Sequence, residues 1–114
     1  MNKLLTIVII SYKSKKLILS HIKKFYNKFK IIIIENSSDE KFKKILKKNY
    51  KNVDIYLKNN IGYGRAVNFA AKKIKTKYFI SMNPDTIIYT NTFKNLMNAA
   101  VHIKKFGVIG PIHK

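Results

Sequence analysis

Asn83-Pro84-Asp85 closes an apolar run, residues 77–83, in a chain of 114 residues that has 24 Lys+Arg and only five Asp+Glu. A carboxylate on a proline-stiffened turn, with an amide carbonyl two residues earlier, offers hard oxygen ligands. Mg²⁺ or Mn²⁺ accepts such ligands while keeping waters and drawing others from a diphosphate. The bland alternative is an Asx-Pro turn. Gly62 and Gly64 precede Arg65, the single arginine. A guanidinium beside a glycine turn that opens a helix suits a phosphate or sugar oxygen, and its alternative is plain helix entry with a solvated side chain. Ser11-Tyr12, Glu35-Asn36-Ser37 and Asn59-Asn60 each close an apolar run in the same way.

These groups need elements that bring them together, and the apolar periodicity supplies them. Residues 4–11 and 30–36 are β-branched apolar runs, the pattern of strands buried on both faces of a parallel sheet, and 53–58 and 77–83 read as a third and a fourth strand. Between them, 15–29, 38–50 and 62–75 carry apolar residues at helical spacing, and 90–106 does so after the last strand. The inner faces are Leu17, Ile18, His21, Ile22 and Phe25; Phe42, Ile45 and Leu46; Ala66, Phe69, Ala70 and Ile74; and Phe93, Leu96, Met97, Ala100 and Val101. Ser38 or Asp39 serves as N-cap of the second helix. Residues 107–110 open a fifth apolar segment, so the alternation reads βαβαβαβαβ. The fold class is α/β, a mostly parallel Rossmann-like sheet with helices on both faces, in one domain over residues 1–114. In such a sheet ligands bind beyond the carboxyl ends of the strands, where all four polar clusters fall.

Composition excludes several alternatives. With no cysteine there is no disulfide framework, thiolate metal site or thiol nucleophile, which fits a reducing cytoplasm. The third glycine of a dinucleotide fingerprint would fall on Val67, after the wrong strand, and no P-loop pattern exists. The opening decapeptide starts like a signal peptide but is short and lacks a cleavage site, so it reads as a buried strand. No stretch approaches the about 20 apolar residues of a membrane span. The net charge of +19 attracts nucleic acid, anionic lipid and phosphorylated small molecules alike. Nearly all of it is lysine spread along the chain, which reads as compositional habit more than as a binding face.

Taken in order, residues 6–14, 31–40, 59–72 and 78–88 resemble the nucleotide-sugar-binding half of family 2 glycosyltransferases with the GT-A fold, in particular the rhamnosyltransferase-like branch. The segment from Asn60 to Asn68 is the most specific part. The resemblance implies that Tyr12, with Ser11, packs near a nucleobase and that Glu35, with Asn36 and Ser37, hydrogen-bonds a pyrimidine ring. It further implies that Asn60, Gly62, Arg65 and Asn68 lie along ribose, diphosphate and sugar, and that Asn83 and Asp85 stand for the D-x-D element that holds a divalent metal, Mg or Mn. Lys13 replaces a common asparagine, Glu35 the usual aspartate, and Asn83 the first acid of D-x-D.

The function so implied is inverting transfer of a sugar from a UDP- or dTDP-sugar to a glycan or lipid-linked acceptor, as in cell wall or polysaccharide synthesis. The family's acceptor-binding half, with its general base, lies beyond Lys114, so the chain reads as a C-terminally truncated, donor-binding part. The expected location is cytoplasmic, with peripheral association at the inner membrane face through the lysines. The competing reading is a lysine-rich α/β nucleic-acid-binding module without enzymatic activity. It rests on charge alone, since no zinc spacing, RNP-like stretch or basic recognition helix is present, and no specific nucleic acid is expected.

Overall fold

The computed structural model describes residues 1–89 and 91–112. Four strands, β1 (Leu5–Ser11), β2 (Lys30–Glu35), β3 (Val53–Leu57) and β4 (Tyr78–Met82), alternate with α1 (Lys15–Phe25), α2 (Glu40–Asn49) and α3 (Tyr63–Ala71), and α4 (Thr92–His102) follows. The sheet is parallel throughout, in the order β3-β2-β1-β4. The isoleucine- and valine-rich β1 and β2 occupy the centre, where they are buried at almost every position on both faces.

Alternate residues of each strand feed two separate cores. Ile7, Ile9, Ile31, Ile33 and Ile55 pack with Ile18, Ile22 and Phe25 of α1, Phe42 and Leu46 of α2, and Phe93 of α4. On the opposite face Val8, Ile10, Ile32 and Ile34 meet Ala66 and Ala70 of α3. Crossovers of one hand demand this division, since the chain advances from β1 to β3 over one face and must return to β4 over the other. The direction reverses between β1 and β4, and the adjoining carboxyl ends form a switch point. With four parallel strands, the corners after β1, β2, β3 and β4 all lie on one rim.

Asp39, of the two candidates, caps α2: its Oδ1 accepts from the Phe42 N–H at 3.0 Å. Other expectations need correction. Leu17 and Ile45 are exposed, because each precedes a buried stripe residue and lies about 100° round the helix from it. The helix expected over 90–106 runs over Thr92–His102, with the expected first position, Thr90, outside the described residues. Of its inner-face residues only Phe93 is buried, and Val101 is exposed. Residues 107–110 form no strand, so among the described residues β4 is the outer strand, and its Phe79 is exposed. A groove of about 970 Å³ between Tyr78 and the end of α4 lies at the amino end of β4, remote from the carboxyl rim. None of the described helices is long and apolar enough to cross a membrane.

The two neighbouring positions in α2 test the packing. Leu46→Ala, at a site with no exposure, should cost about 2–5 kcal/mol in urea denaturation. Ile45→Ala, next to it on the open flank, should cost under about 1 kcal/mol.

Candidate functional site

Of the five Asp and Glu side chains, three are accounted for by local structure or a surface pair. Asp39 caps α2, Glu40 lies in that helix's first turn, and Asp54 pairs with Lys30 at 2.9 Å on the surface. The remaining two, Glu35 and Asp85, both stand on the carboxyl rim.

Glu35 ends β2 and is only 1% exposed. Its Oε1 accepts from the Lys13 backbone N–H at 3.0 Å and from Ser37 Oγ–H at 2.7 Å, so the carboxylate joins the first corner to the second. Its Oε2 is buried with no hydrogen-bond partner, and so is Ser11 Oγ. Ser11 and Glu35 are register partners on adjacent parallel strands, which places both side chains on the same face of the sheet. Two orphaned polar atoms side by side are costly unless something else satisfies them. Tyr12, the next residue, is exposed, with the Lys13 Nζ 5.2 Å from its ring centroid.

Asn36 braces the third corner. Its carbonyl accepts from the Asn60 N–H at 2.8 Å, its Oδ1 from the Ile61 N–H, and its Nδ2 donates to the Gly62 carbonyl, the last two at 3.4 Å. A bridge between Ser37 and Asn59 adds to this tie. Gly62 occupies the N-cap of α3 at φ 84, and no side chain caps the helix, so its first N–H groups open onto the rim. A Cβ at Gly64 would meet nothing within 4 Å, which leaves the approach to that terminus clear. Arg65 is exposed in the first turn. Asn68 sits one turn further along, where α3 carries it back from the rim toward the amino end of β4.

The fourth corner is a turn in which the Thr86 N–H donates to the Asn83 carbonyl at 3.1 Å, with Asn83 and Asp85 both exposed. Among the described residues no group of three or more His, Cys, Asp or Glu side chains converges. One carboxylate and one amide oxygen do not suit a cation held by protein alone. They do suit a hard divalent cation that takes most of its shell from a diphosphate and water.

Backbone strain is concentrated here. All four left-handed residues among those described, Lys13, Ser38, Asn60 and Gly62, stand at the first three corners. A lysine in that region costs about 1 kcal/mol, and it persists because its N–H meets Glu35. Sequence reasoning missed this contact and the bond from Tyr63 to Ser81 that joins α3 to β4. It also missed two donors of α1 that reach the fourth corner: His21 Nε2 to the Pro84 carbonyl and Lys24 Nζ to the Ile88 carbonyl, each at 2.7 Å. A histidine within an apolar helical stripe was the only signal for the first. Nothing distinguishes Lys24 among so many lysines.

Comparison with known proteins agrees with this architecture. The family model of glycosyl transferase family 2 matches residues 6–114. A teichoic acid poly(glycerol phosphate) polymerase of Staphylococcus epidermidis is 31% identical over 99% of this chain, which spans 16% of that protein. The crystal structure of S. aureus TarS superposes with a TM-score of 0.67 at 19% identity, over 94% of this chain and 38% of that one. That likeness shows a shared fold, whose GT-A-like sheet is the one described above. The chain therefore belongs to glycosyl transferase family 2, a family of sugar-transferring enzymes.

Proposed function

We propose that the rim binds the nucleotide half of a UDP- or dTDP-sugar. The observation that carries this reading is the pair of orphaned buried atoms, Glu35 Oε2 and Ser11 Oγ. A uracil or thymine ring offers an N–H flanked by carbonyl oxygens. Its N–H would donate to Glu35 Oε2 while a carbonyl accepts from Ser11 Oγ–H, satisfying both atoms at once. The ring would lie against Tyr12, and reaching Glu35 would require the corner at 12–14 to swing outward. Asn36 and Ser37 would hold that corner's partner in place, and Asn60 would meet the ribose.

The diphosphate would then lie along Gly62 and the uncapped start of α3, with Arg65 as a charged fork toward its oxygens. Asn68 would meet the sugar from further along the helix. Asp85 and Asn83 would hold a divalent cation, whose charge stabilises the diphosphate as it departs. An acceptor hydroxyl, from a glycan or a lipid-linked sugar, would attack the anomeric carbon from the face opposite the leaving group, with inversion. A general base must take its proton as the new bond forms, and no residue described above is assigned that role. The excess of lysine, net +19, favours work at an anionic membrane surface where a lipid-linked acceptor is met.

Calorimetry with UDP and dTDP tests the reading. Mn²⁺ should tighten binding, and Asp85→Ala should abolish that increment while leaving metal-independent binding in place. Nucleotide binding that ignores both Mn²⁺ and Asp85→Ala would refute the assignment. Glu35→Gln separates stability from function. It should raise stability by about 1 kcal/mol in urea denaturation, because it removes a buried charge and keeps an acceptor for Lys13 and Ser37. The same substitution should weaken UDP about 10-fold or more, the worth of a hydrogen bond to a charged group.

A further inference from the structure

We infer that His21 is a positioning residue for the Asn83-Pro84-Asp85 turn, and that α1 thereby sets the direction of the Asp85 carboxylate. The inference rests on the cation-holding role proposed for that turn and adds to it a residue from a different element.

Pro84 has no N–H, so its carbonyl is the only backbone group by which that residue can be held from outside. His21 Nε2 lies 2.7 Å from it across 63 residues of sequence. A carbonyl oxygen can only accept, so Nε2 carries the proton and donates. The Pro84 carbonyl and the Asp85 nitrogen share one planar peptide unit. Fixing the carbonyl therefore fixes the plane from which the Asp85 side chain departs. The Thr86 N–H bond to the Asn83 carbonyl sets the other side of the same turn.

The donor is itself rigid. His21 sits between Ile18, Ile22 and Phe25, whose burial fixes α1 on the sheet, and its ring stacks on Phe25 with centroids 6.3 Å apart. Three residues along, on the same face of α1, Lys24 donates to the Ile88 carbonyl. The segment between the buried side chains of Met82 and Ile88 is thus held at two carbonyls by one helix. Turns exposed to solvent ordinarily sample several arrangements, and a cation bound by only two protein oxygens gains affinity from each that is excluded.

The test uses the 114-residue chain with His21→Leu, which removes the donor, and His21→Gln, whose side-chain N–H₂ can reach the same carbonyl. Calorimetry with UDP, with and without Mn²⁺, and amide hydrogen exchange at Thr86 are the readouts. The expected result is that His21→Leu lowers the Mn²⁺-dependent gain in UDP affinity by about 5–10-fold, the worth of one neutral hydrogen bond. It should leave metal-free UDP affinity unchanged and speed exchange at Thr86, and His21→Gln should restore both. Equal loss of metal-free and metal-dependent binding, or no rescue by glutamine, would mean that His21 is merely structural and overturn the inference. So would an unaltered Mn²⁺ gain in His21→Leu. If the unsubstituted chain shows no Mn²⁺ gain at all, the reading of the turn fails first. Exchange at Thr86 then still decides whether His21 holds it.

Discussion

A carboxylate buried between two strand ends governs the rim of this protein. Glu35 carries charge in a place where desolvation is costly, and it is tolerated because Lys13 N–H and Ser37 Oγ–H donate to one oxygen. The other oxygen is left bare beside an equally bare serine hydroxyl. That arrangement is poor for stability and well suited to recognition, since a ligand with the right donor and acceptor gains what the fold forgoes. The first corner follows from it. Lys13 is forced into a left-handed conformation because its N–H must face Glu35.

The rim divides into two halves that different elements control. The outward crossovers, α1 and α2, lie on one face of the sheet, and with β1 and β2 they enclose Glu35. The return crossover brings α3 over the other face and delivers an uncapped helix terminus with an arginine in its first turn. The halves meet where β1 and β4 adjoin, and side chains bridge them: His21 and Lys24 reach from α1 to the fourth corner, and Tyr63 reaches from α3 to Ser81. The wide positive field of the lysines draws anions toward the whole molecule. Under the proposed reading, the groups of the rim give a phosphorylated ligand its place to stop.

Much of the fold was legible in the sequence. Four β-branched runs separated by helical periodicity leave few topologies, and a parallel sheet puts every strand's carboxyl end on one rim by geometry alone. The family resemblance, and the segment from Asn60 to Asn68 above all, led to the family that the comparison supports. What failed had identifiable causes. Leu17 and Ile45 are apolar yet exposed, because periodicity marks a stripe and does not locate its edges. Residues 107–110 look like the start of a strand, but an apolar run becomes one only when it is laid beside a strand edge, and local pattern does not say where a run is laid. The network around Glu35 and the donors of α1 were invisible, since contacts across 22 or 63 residues leave no mark in local pattern.

The central claim is that four corners of one rim act together on one nucleotide. An amide chemical-shift titration of the labelled chain with UDP and Mg²⁺ tests it most directly. Joint, saturable shifts are expected at Lys13, Ser37, Gly64 and Thr86 with a single dissociation constant, while Asn52 and Thr76 at the opposite end of the sheet stay still. Shifts confined to that opposite end, or corners that respond with unrelated constants, would contradict it.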